Sequence, residues 1–218
     1  MRDQVLASLK PLHRCLRMQK VAAFLRLVQG RKTSLLDVGG GLGISGEFQL
    51  VYESFENVVV ANLNPPERKP IPFSEARFVI ADGCALPFNS RSFDWVFSNA
   101  VIEHVGGWAR QRQFADEIRR VSAQGYFVTT PNKYFPIEPH TLLPFYQFLS
   151  PKQQRRVVRF SPGYMRAPLE INLLSGHDLG RLFPEASILK MGLLGFPNSL
   201  AAVYSTEKQG HSCGSNSK

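Results

Sequence analysis

The sequence predicts an α/β protein in which a mostly parallel sheet is covered by helices on both faces. The 218-residue chain is 44% apolar, which suits one domain with a buried core and argues against a disordered chain. Short apolar runs typical of buried strands alternate with segments of helical periodicity. Glycine and polar residues directly follow several of these runs, where ligands of parallel sheets bind.

The predicted elements follow one another in the order that such a sheet requires. Apolar residues at helical spacing predict helices at 3–29, 47–54, 108–121 and 179–183. Pro11 is expected to interrupt the first of them. Apolar runs predict strands at 34–38, 58–61, 77–81, 93–97 and 125–130. Two last strands, near 187–194 and 199–205, flank a turn-forming stretch and predict an antiparallel hairpin, which gives seven strands in all.

Composition divides the chain into an extension, a domain and a tail. Residues 1–32 are predicted to be a basic helical extension, and residues 33–205 the single main domain. Within that domain, residues 131–172 are rich in proline and aromatic residues and are interpreted as an insertion. Residues 206–218 are expected to be a disordered tail.

The net charge of +9 is concentrated in two segments. Residues 1–32 carry +7 and residues 150–166 carry +5, whereas residues 33–149 carry −3. A basic run is either a solvated helix face or a surface for an anionic small molecule, a membrane or nucleic acid. Both interpretations stay open on charge alone.

Cysteine content and hydropathy predict a soluble cytoplasmic protein. The three cysteines are scattered and form neither a disulfide framework nor a metal-binding pair, which favours a reducing compartment. No stretch has the pattern of a secretory signal or a membrane span. No grouping of His, Cys, Asp and Glu has the spacing of a metal site, so no metal is expected.

A glycine-rich stretch follows the first predicted strand. Residues 37–46 read Asp-Val-Gly-Gly-Gly-Leu-Gly-Ile-Ser-Gly, and glycines let a backbone turn sharply and approach a ligand. The Gly-x-Gly-x-x-Gly spacing at 41–46 also occurs in dinucleotide-binding proteins. Asp37 favours another ligand, because a carboxylate suits a cation such as a sulfonium better than a pyrophosphate. A nicotinamide-dependent dehydrogenase is therefore the weaker interpretation.

This stretch resembles the first motif of the class I S-adenosylmethionine-dependent methyltransferases. The motif is formed here by Asp37, Gly39, Gly41 and Gly43. Residues 81–88, 92–105 and 117–132 are similar to later family segments in order and spacing, and the likeness is closest to the type 11 methyltransferase-domain group. The resemblance implies a Rossmann-like, doubly wound fold, S-adenosylmethionine as cofactor and methyl transfer as the activity.

The resemblance also implies the cofactor contacts. Asp37 would hold the methionine amino end, and Asp82 would accept from the adenine amino group. Asn62 ends the second strand, where most of the family has an acid that binds the ribose, so a charge-assisted bond is lost. The expected cofactor residues are Asp37, Gly39, Gly41, Gly43, Asn62, Asp82, Gly83, Cys84 and Asn99. For Cys84, packing in the apolar core is an equal alternative.

Two histidines are candidates for a general base. His140 follows the fifth strand, where the family builds acceptor contacts, and Glu138 could orient it. His104 follows the fourth strand, and for it a structural role is equally open. The family resemblance places acceptor selection in the N-terminal helices and in insertions near the fifth strand, which here hold the two basic segments. Arg155, Arg156 and Arg159 are therefore candidate acceptor contacts.

The expected reaction is transfer of a methyl group to oxygen or carbon of a small, anionic or membrane-proximal acceptor. Methylation of a nucleobase nitrogen is disfavoured, because the tetrapeptide typical of that activity is missing after the fourth strand. Two alternatives are kept. The basic segments favour an RNA methyltransferase, and Asn62 favours a cofactor-binding protein that has lost activity.

Overall fold

Helices and strands alternate along the chain. The computed structural model describes residues 2–28, 33–41, 46–64, 76–161, 171–193 and 195–206. The helices are α1 (Arg2–Leu27), α2 (Gly46–Tyr52), α3 (Trp108–Val121), α4 (Pro151–Val157) and α5 (Gly176–Leu182). The strands are β1 (Ser34–Val38), β2 (Asn57–Asn62), β3 (Arg77–Ile80), β4 (Phe93–Asn99), β5 (Ser122–Pro131), β6 (Ser187–Leu193) and β7 (Phe196–Ser205).

Seven strands within the described residues form one sheet in the order β3-β2-β1-β4-β5-β7-β6. The pairs among β1 to β5 are parallel, and β7 runs antiparallel to both β5 and β6. The predicted doubly wound sheet with an antiparallel C-terminal hairpin is confirmed. Because the chain runs outward from β1 through β2 and β3 and then returns to β4 beside β1, the carboxyl ends of β1 and β4 border the crevice where such sheets bind ligands.

Helices cover both faces of the sheet. On one face, Phe24 of α1 packs against the rings of Phe55, Trp95, Phe97 and Phe127, with centroid distances of 5.0 to 6.3 Å. Complete burial of a phenylalanine contributes about 1.5–3 kcal/mol, so the C-terminal half of α1 is anchored to the domain. On the other face, α3 and α5 bury their apolar sides in a second cluster.

The expected interruption of α1 at Pro11 is wrong. The helix continues through this residue from Arg2 to Leu27. A proline in a helix removes one backbone N–H and so leaves a carbonyl one turn earlier without its usual donor. Pro11 is exposed, which lets water supply that donor, and the packing of Phe24 stabilises the helix further along.

The segment after β5 carries α4 and two short 3₁₀ helices, Tyr146–Phe148 and Val158–Phe160. The beginning of α4 is fixed by a reciprocal cap in which the Ser150 hydroxyl accepts from the Gln153 backbone and the Gln153 side chain accepts from the Ser150 backbone. Pro151 occupies the first helical position, where its missing N–H costs nothing. This segment therefore has defined local structure beside the carboxyl ends of β4 and β5.

Candidate active site

A cavity of about 300 Å³ lies beyond the carboxyl ends of the central strands. Its lining includes five of the residues singled out in the sequence, namely Gly39, Asn62, Asp82, Gly83 and His104. The topology brings them together because each follows a parallel strand, or ends one, at the same edge of the sheet. We call this space the first cavity.

The turn after β1 needs glycine for two reasons. Gly39 has a φ of +82°, and a Cβ atom there would overlap the Val101 side chain. A Cβ atom on Gly40 would overlap the Asp37 carboxylate. The backbone therefore approaches the Val101 side chain and the Asp37 carboxylate more closely than a residue with a Cβ atom would allow. Gly41 is described, whereas Gly43 lies outside the described residues.

Asp37 is buried behind this turn, with 4% of its surface exposed. The Tyr52 hydroxyl of α2 donates a hydrogen bond to its carboxylate. Burial raises the pKa of Asp37 to about 7, and the bond from Tyr52 acts in the opposite direction. Tyr52 was not singled out in the sequence, since only its place on α2 shows that its hydroxyl reaches Asp37. A contact of Asp37 with the cofactor stays a prediction.

Asn62 supports the glycine turn directly. Its side-chain nitrogen donates to the carbonyl oxygens of Gly39, at 3.3 Å, and Gly40, at 3.0 Å. An ionised acid, which is acceptor-only, could not make these bonds. The amide oxygen Oδ1 is an acceptor and suits a ribose hydroxyl. The departure from the family pattern at this position therefore has a structural reason.

Asp82 is held by two donors after β3. Its Oδ1 accepts from the Cys84 backbone at 2.9 Å, and its Oδ2 accepts from the Arg110 guanidinium at 2.6 Å. The bond from Arg110 holds the pKa of this carboxyl below its usual range. Arg110 also lines the first cavity and was missed in the sequence, because it approaches Asp82 only through the fold.

Cys84 and Asn99 lie close to the first cavity without lining it. The Cys84 thiol is buried, donates to the Arg110 carbonyl at 3.3 Å, and has its pKa raised by burial to about 11. The Asn99 side-chain oxygen accepts from Lys20 at 3.1 Å and from the Thr129 hydroxyl at 2.8 Å. Burial lowers the pKa of Lys20 to about 8. Lys20 was also missed in the sequence.

The structure brings Glu138, His140 and His104 into one chain of contacts. The Nδ1 atom of His140 lies 2.7 Å from a Glu138 carboxylate oxygen, and its Nε2 atom lies 3.1 Å from Nε2 of His104. Glu138 is 2% exposed, and its other oxygen accepts from the backbone and hydroxyl of Thr141. Burial acts to raise the pKa of Glu138, but the bonds from His140 and Thr141 outweigh it and hold the pKa below the ordinary value.

Glu103 is a buried acid beside this chain and was missed in the sequence. Its side chain is fully buried, Oε2 accepts from the Thr130 hydroxyl at 3.0 Å, and Oε1 has no hydrogen-bond partner among the described residues. Oε1 lies 3.9 Å from Nε2 of His104. Burial raises the pKa of Glu103 to about 7, whereas burial and the neighbouring His140 lower the pKa of His104. The adjacency of Glu103 and His104 in sequence is the signal that could have revealed this acid.

A second, larger cavity of about 680 Å³ lies beside α3 and α4. Its lining is Trp108, Gln111, Lys133, Glu138, Tyr146, Gln147, Pro151, Gln154, Ile171, Asn172, Leu173, Leu174 and Asp178. Since Glu138 lines the second cavity and His104 lines the first, the contacts through His140 connect the two spaces.

The predicted arginine contacts lie outside this lining. Arg155, Arg156 and Arg159 are exposed, and the residues of α4 that reach the second cavity are Pro151 and Gln154. The Arg159 guanidinium lies 5.0 Å from the centre of the Phe160 ring. In the described part of the chain, no helix has both the length and the hydropathy needed to cross a membrane.

Comparisons with known proteins agree with this arrangement. Residues 36–129 match a family model described as a methyltransferase domain. The fold is similar to the PH0226 protein of Pyrococcus horikoshii OT3, with a TM-score of 0.59, 16% identity, and 87% of this chain and 89% of that one covered. It is also similar to the N-methyltransferase NodS of Bradyrhizobium japonicum WM9 in complex with S-adenosylhomocysteine, with a TM-score of 0.58, 11% identity and 87% of each chain covered.

A short match of another kind was also found. It is 44% identical over 61 residues to the ATP synthase gamma chain of Salinibacter ruber. The match spans 25% of this chain and only 19% of that protein, so it carries no inference about function. The family model and the fold agree with each other and with the motifs around Gly39 and Asp82. Residues 36–129 therefore resemble a methyltransferase domain, and the fold of the chain is similar to that of methyltransferases of known structure.

Proposed function

We propose that the enzyme transfers a methyl group from S-adenosylmethionine to a hydroxyl oxygen of a small, anionic acceptor in the second cavity. The observation that carries this proposal is the chain of contacts from Glu138 through His140 to His104, which connects the two cavities. Methylation of a hydroxyl needs a group that takes up its proton, and histidine is suited to that task near neutral pH.

The residues of the first cavity fit the cofactor. Gly39 leaves space that a Cβ atom would fill, Asn62 offers an acceptor oxygen for the ribose, and Asp82 offers a carboxylate near the predicted adenine position. When bound, S-adenosylmethionine supplies a methyl group activated by the positive charge on its sulfur. The acceptor oxygen takes the methyl carbon, and S-adenosylhomocysteine is released as the leaving group. The similar fold of NodS, which was crystallised with S-adenosylhomocysteine, supports this assignment.

The hydrogen bonds of the two histidines define which atom takes up the proton of the acceptor hydroxyl. With Nδ1–H of His140 donating to Glu138, Nε2 of neutral His140 is an acceptor, so the Nε2–H of His104 donates to it. The lone pair of His104 is then on Nδ1, which is the atom that takes the acceptor proton. Glu138 stabilises the positive charge that develops on the two rings.

The anionic character of the acceptor is inferred from the basic residues around the second cavity. Lys133 lines this cavity, and α4, which contributes Gln154 to the lining, carries the exposed Arg155 and Arg156. Exposed cations of this kind raise the local concentration of an anion more than they fix its position. We therefore expect Arg155, Arg156 and Arg159 to attract the acceptor, and Lys133 to contact it.

The test is methyl transfer from S-adenosylmethionine carrying a labelled methyl group to the molecules of a cell extract. The label should enter a small product that binds an anion-exchange resin and that yields a methyl ether on analysis. His140→Gln should lower kcat by about 10²- to 10⁴-fold, because it removes the link to Glu138, while leaving S-adenosylhomocysteine affinity unchanged. Label in RNA, label on an amine nitrogen, or an unchanged kcat for His140→Gln would overturn the proposal.

A further inference from the structure

Three ligand-type side chains converge beside the first cavity. Glu103, His104 and His140 each offer one ligand atom, and these three atoms all lie within 4.8 Å of one another. The two nitrogens are 3.1 Å apart, and Glu103 Oε1 is 3.9 Å from His104 Nε2. Two imidazole nitrogens on one tetrahedral zinc ion are about 3.3–3.4 Å apart, given bonds of about 2.0–2.1 Å. The two rings are therefore already spaced as ligands of a single ion.

Glu103 is the independent sign that a cation belongs here. Its Oε1 atom is fully buried without a hydrogen-bond partner among the described residues, and leaving a buried carboxylate oxygen unpaired is costly. The Lys20 ammonium acts on Glu103 electrostatically but donates its hydrogen bond to Asn99. Nε2 of His104, at 3.9 Å, is close enough to share a cation with Oε1.

Glu138 prepares His140 as a ligand. Metal-binding histidines commonly donate their second ring N–H to a carboxylate, which fixes the tautomer and the ring orientation. The contact of 2.7 Å between His140 Nδ1 and Glu138 has this form and directs the lone pair of His140 to Nε2. In the neutral pair, one proton lies between the two Nε2 atoms. When His104 changes tautomer this proton is carried on its Nδ1 instead, and both Nε2 lone pairs are free to bind a divalent cation without moving Glu138.

We propose that Glu103, His104 and His140 bind one divalent transition-metal ion of the Zn²⁺ type. Two imidazoles and one carboxylate suit such an ion, whereas Mg²⁺ and Ca²⁺ prefer oxygen ligands. Three protein ligands leave a coordination position open, as in catalytic zinc sites. His104 lines the first cavity, so this position is accessible from it. Sequence spacing indicated no metal because His104 and His140 are 36 residues apart.

The role of the ion rests on the proposed function, whereas its binding does not. The acceptor hydroxyl would occupy the open position, where the cation lowers the pKa of the hydroxyl and its proton passes to water. The oxygen then forms its bond to the methyl carbon, the electron pair of the C–S bond returns to sulfur, and the ion is unchanged. The cation-loaded site thus replaces the proton relay of the cation-free protein.

The experiment measures Zn²⁺ binding to the full chain, stripped with a chelator, in the absence of cofactor and acceptor. Calorimetry should show Zn²⁺ binding that an excess of Mg²⁺ does not compete away. Glu103→Gln and His140→Gln should each weaken it at least about 100-fold, and Glu138→Gln about 10- to 100-fold. His13→Gln, which changes an exposed histidine of α1, is the matched control and should leave the affinity unchanged.

Circular dichroism and binding of S-adenosylhomocysteine check that each variant is folded. Equal Zn²⁺ affinity in the wild type and in folded His140→Gln overturns the site, and so does equal affinity in folded Glu103→Gln. Methyl transfer that survives chelation, together with no Zn²⁺ binding, overturns this inference and leaves the proposed function standing. Zn²⁺ binding without methyl transfer to any hydroxyl overturns the proposed function and leaves this inference standing.

Discussion

The two cavities are built from different kinds of residue. The first is formed by backbone turns at the ends of β1 and β2, by the segment after β3 and by the loop after β4, where glycines let the backbone pack closely against neighbouring side chains. The second is formed by longer side chains from α3, α4 and the segments around them. The first cavity therefore depends on backbone geometry, whereas the second depends on side-chain chemistry and can vary without changing the sheet.

A substitution at Gly39 is expected to have the largest effect, because it tests directly whether the first cavity depends on backbone geometry. Gly39→Ala would place a methyl group against Val101 at a φ of +82°, and we expect S-adenosylhomocysteine affinity to fall more than about 100-fold, since strain and overlap each cost about 1–3 kcal/mol. Calorimetric titration measures this loss. Gly195→Ala is the matched control, because Gly195 has a similar φ of +79° but open space around its missing Cβ.

The control variant should show a small loss of stability and an unchanged affinity. If Gly39→Ala behaves like Gly195→Ala, close approach of the backbone is not what forms the first cavity. A partial recovery of affinity in Gly39→Ala combined with Val101→Ala would identify the Val101 side chain as the cause.

Asp37 is buried behind the glycine turn of the same cavity, and its protonation can be tested through pH. Its pKa in the folded protein, about 7, lies above the ordinary value of about 3.9, so the folded chain keeps a proton that the unfolded chain has lost between these pH values. The free energy of unfolding contributed by Asp37 therefore falls as the pH rises from about 4 to 7. Asp37→Asn removes this fall while keeping an oxygen that accepts from Tyr52.

Urea unfolding of both proteins at pH 5 and pH 8 measures the effect. The wild type should lose stability relative to Asp37→Asn between these two conditions, by about 1–3 kcal/mol, the cost of leaving a buried polar group poorly paired. A constant difference between the two proteins at both pH values would mean that Asp37 is ionised throughout, and that its charge does not depend on pH.

Local motifs and tertiary contacts differ in how far the sequence reveals them. The strands, the glycine turn, Asp82 and the pairing of Glu138 with His140 lie within short segments and could be predicted. The partners Tyr52, Arg110 and Thr130 could not, because each is 15 or more positions away from its carboxylate in the sequence and meets it only in the folded chain. The unpartnered oxygen of Glu103 is likewise visible only in the folded chain.

The smallest expected effect comes from Asn62, whose substitution tests whether the first cavity depends on a backbone turn held by this side chain. The family pattern alone suggests that Asn62→Asp would improve ribose binding by restoring a carboxylate. The structure predicts the reverse, because the two bonds to the Gly39 and Gly40 carbonyls are lost and a charge faces those oxygens instead. We expect S-adenosylhomocysteine affinity to fall about 10-fold, equivalent to about 1.4 kcal/mol.

Asn62→Ser separates support of the turn from ribose recognition, because a serine hydroxyl can donate or accept but carries no charge to face the carbonyls. Its affinity should lie between those of the wild type and Asn62→Asp if the donors of Asn62 hold the turn. If Asn62→Asp binds more tightly than the wild type, the carboxylate reaches the ribose without help from the turn. The amide is then a weakened ribose contact, and the first cavity does not depend on a backbone held by Asn62.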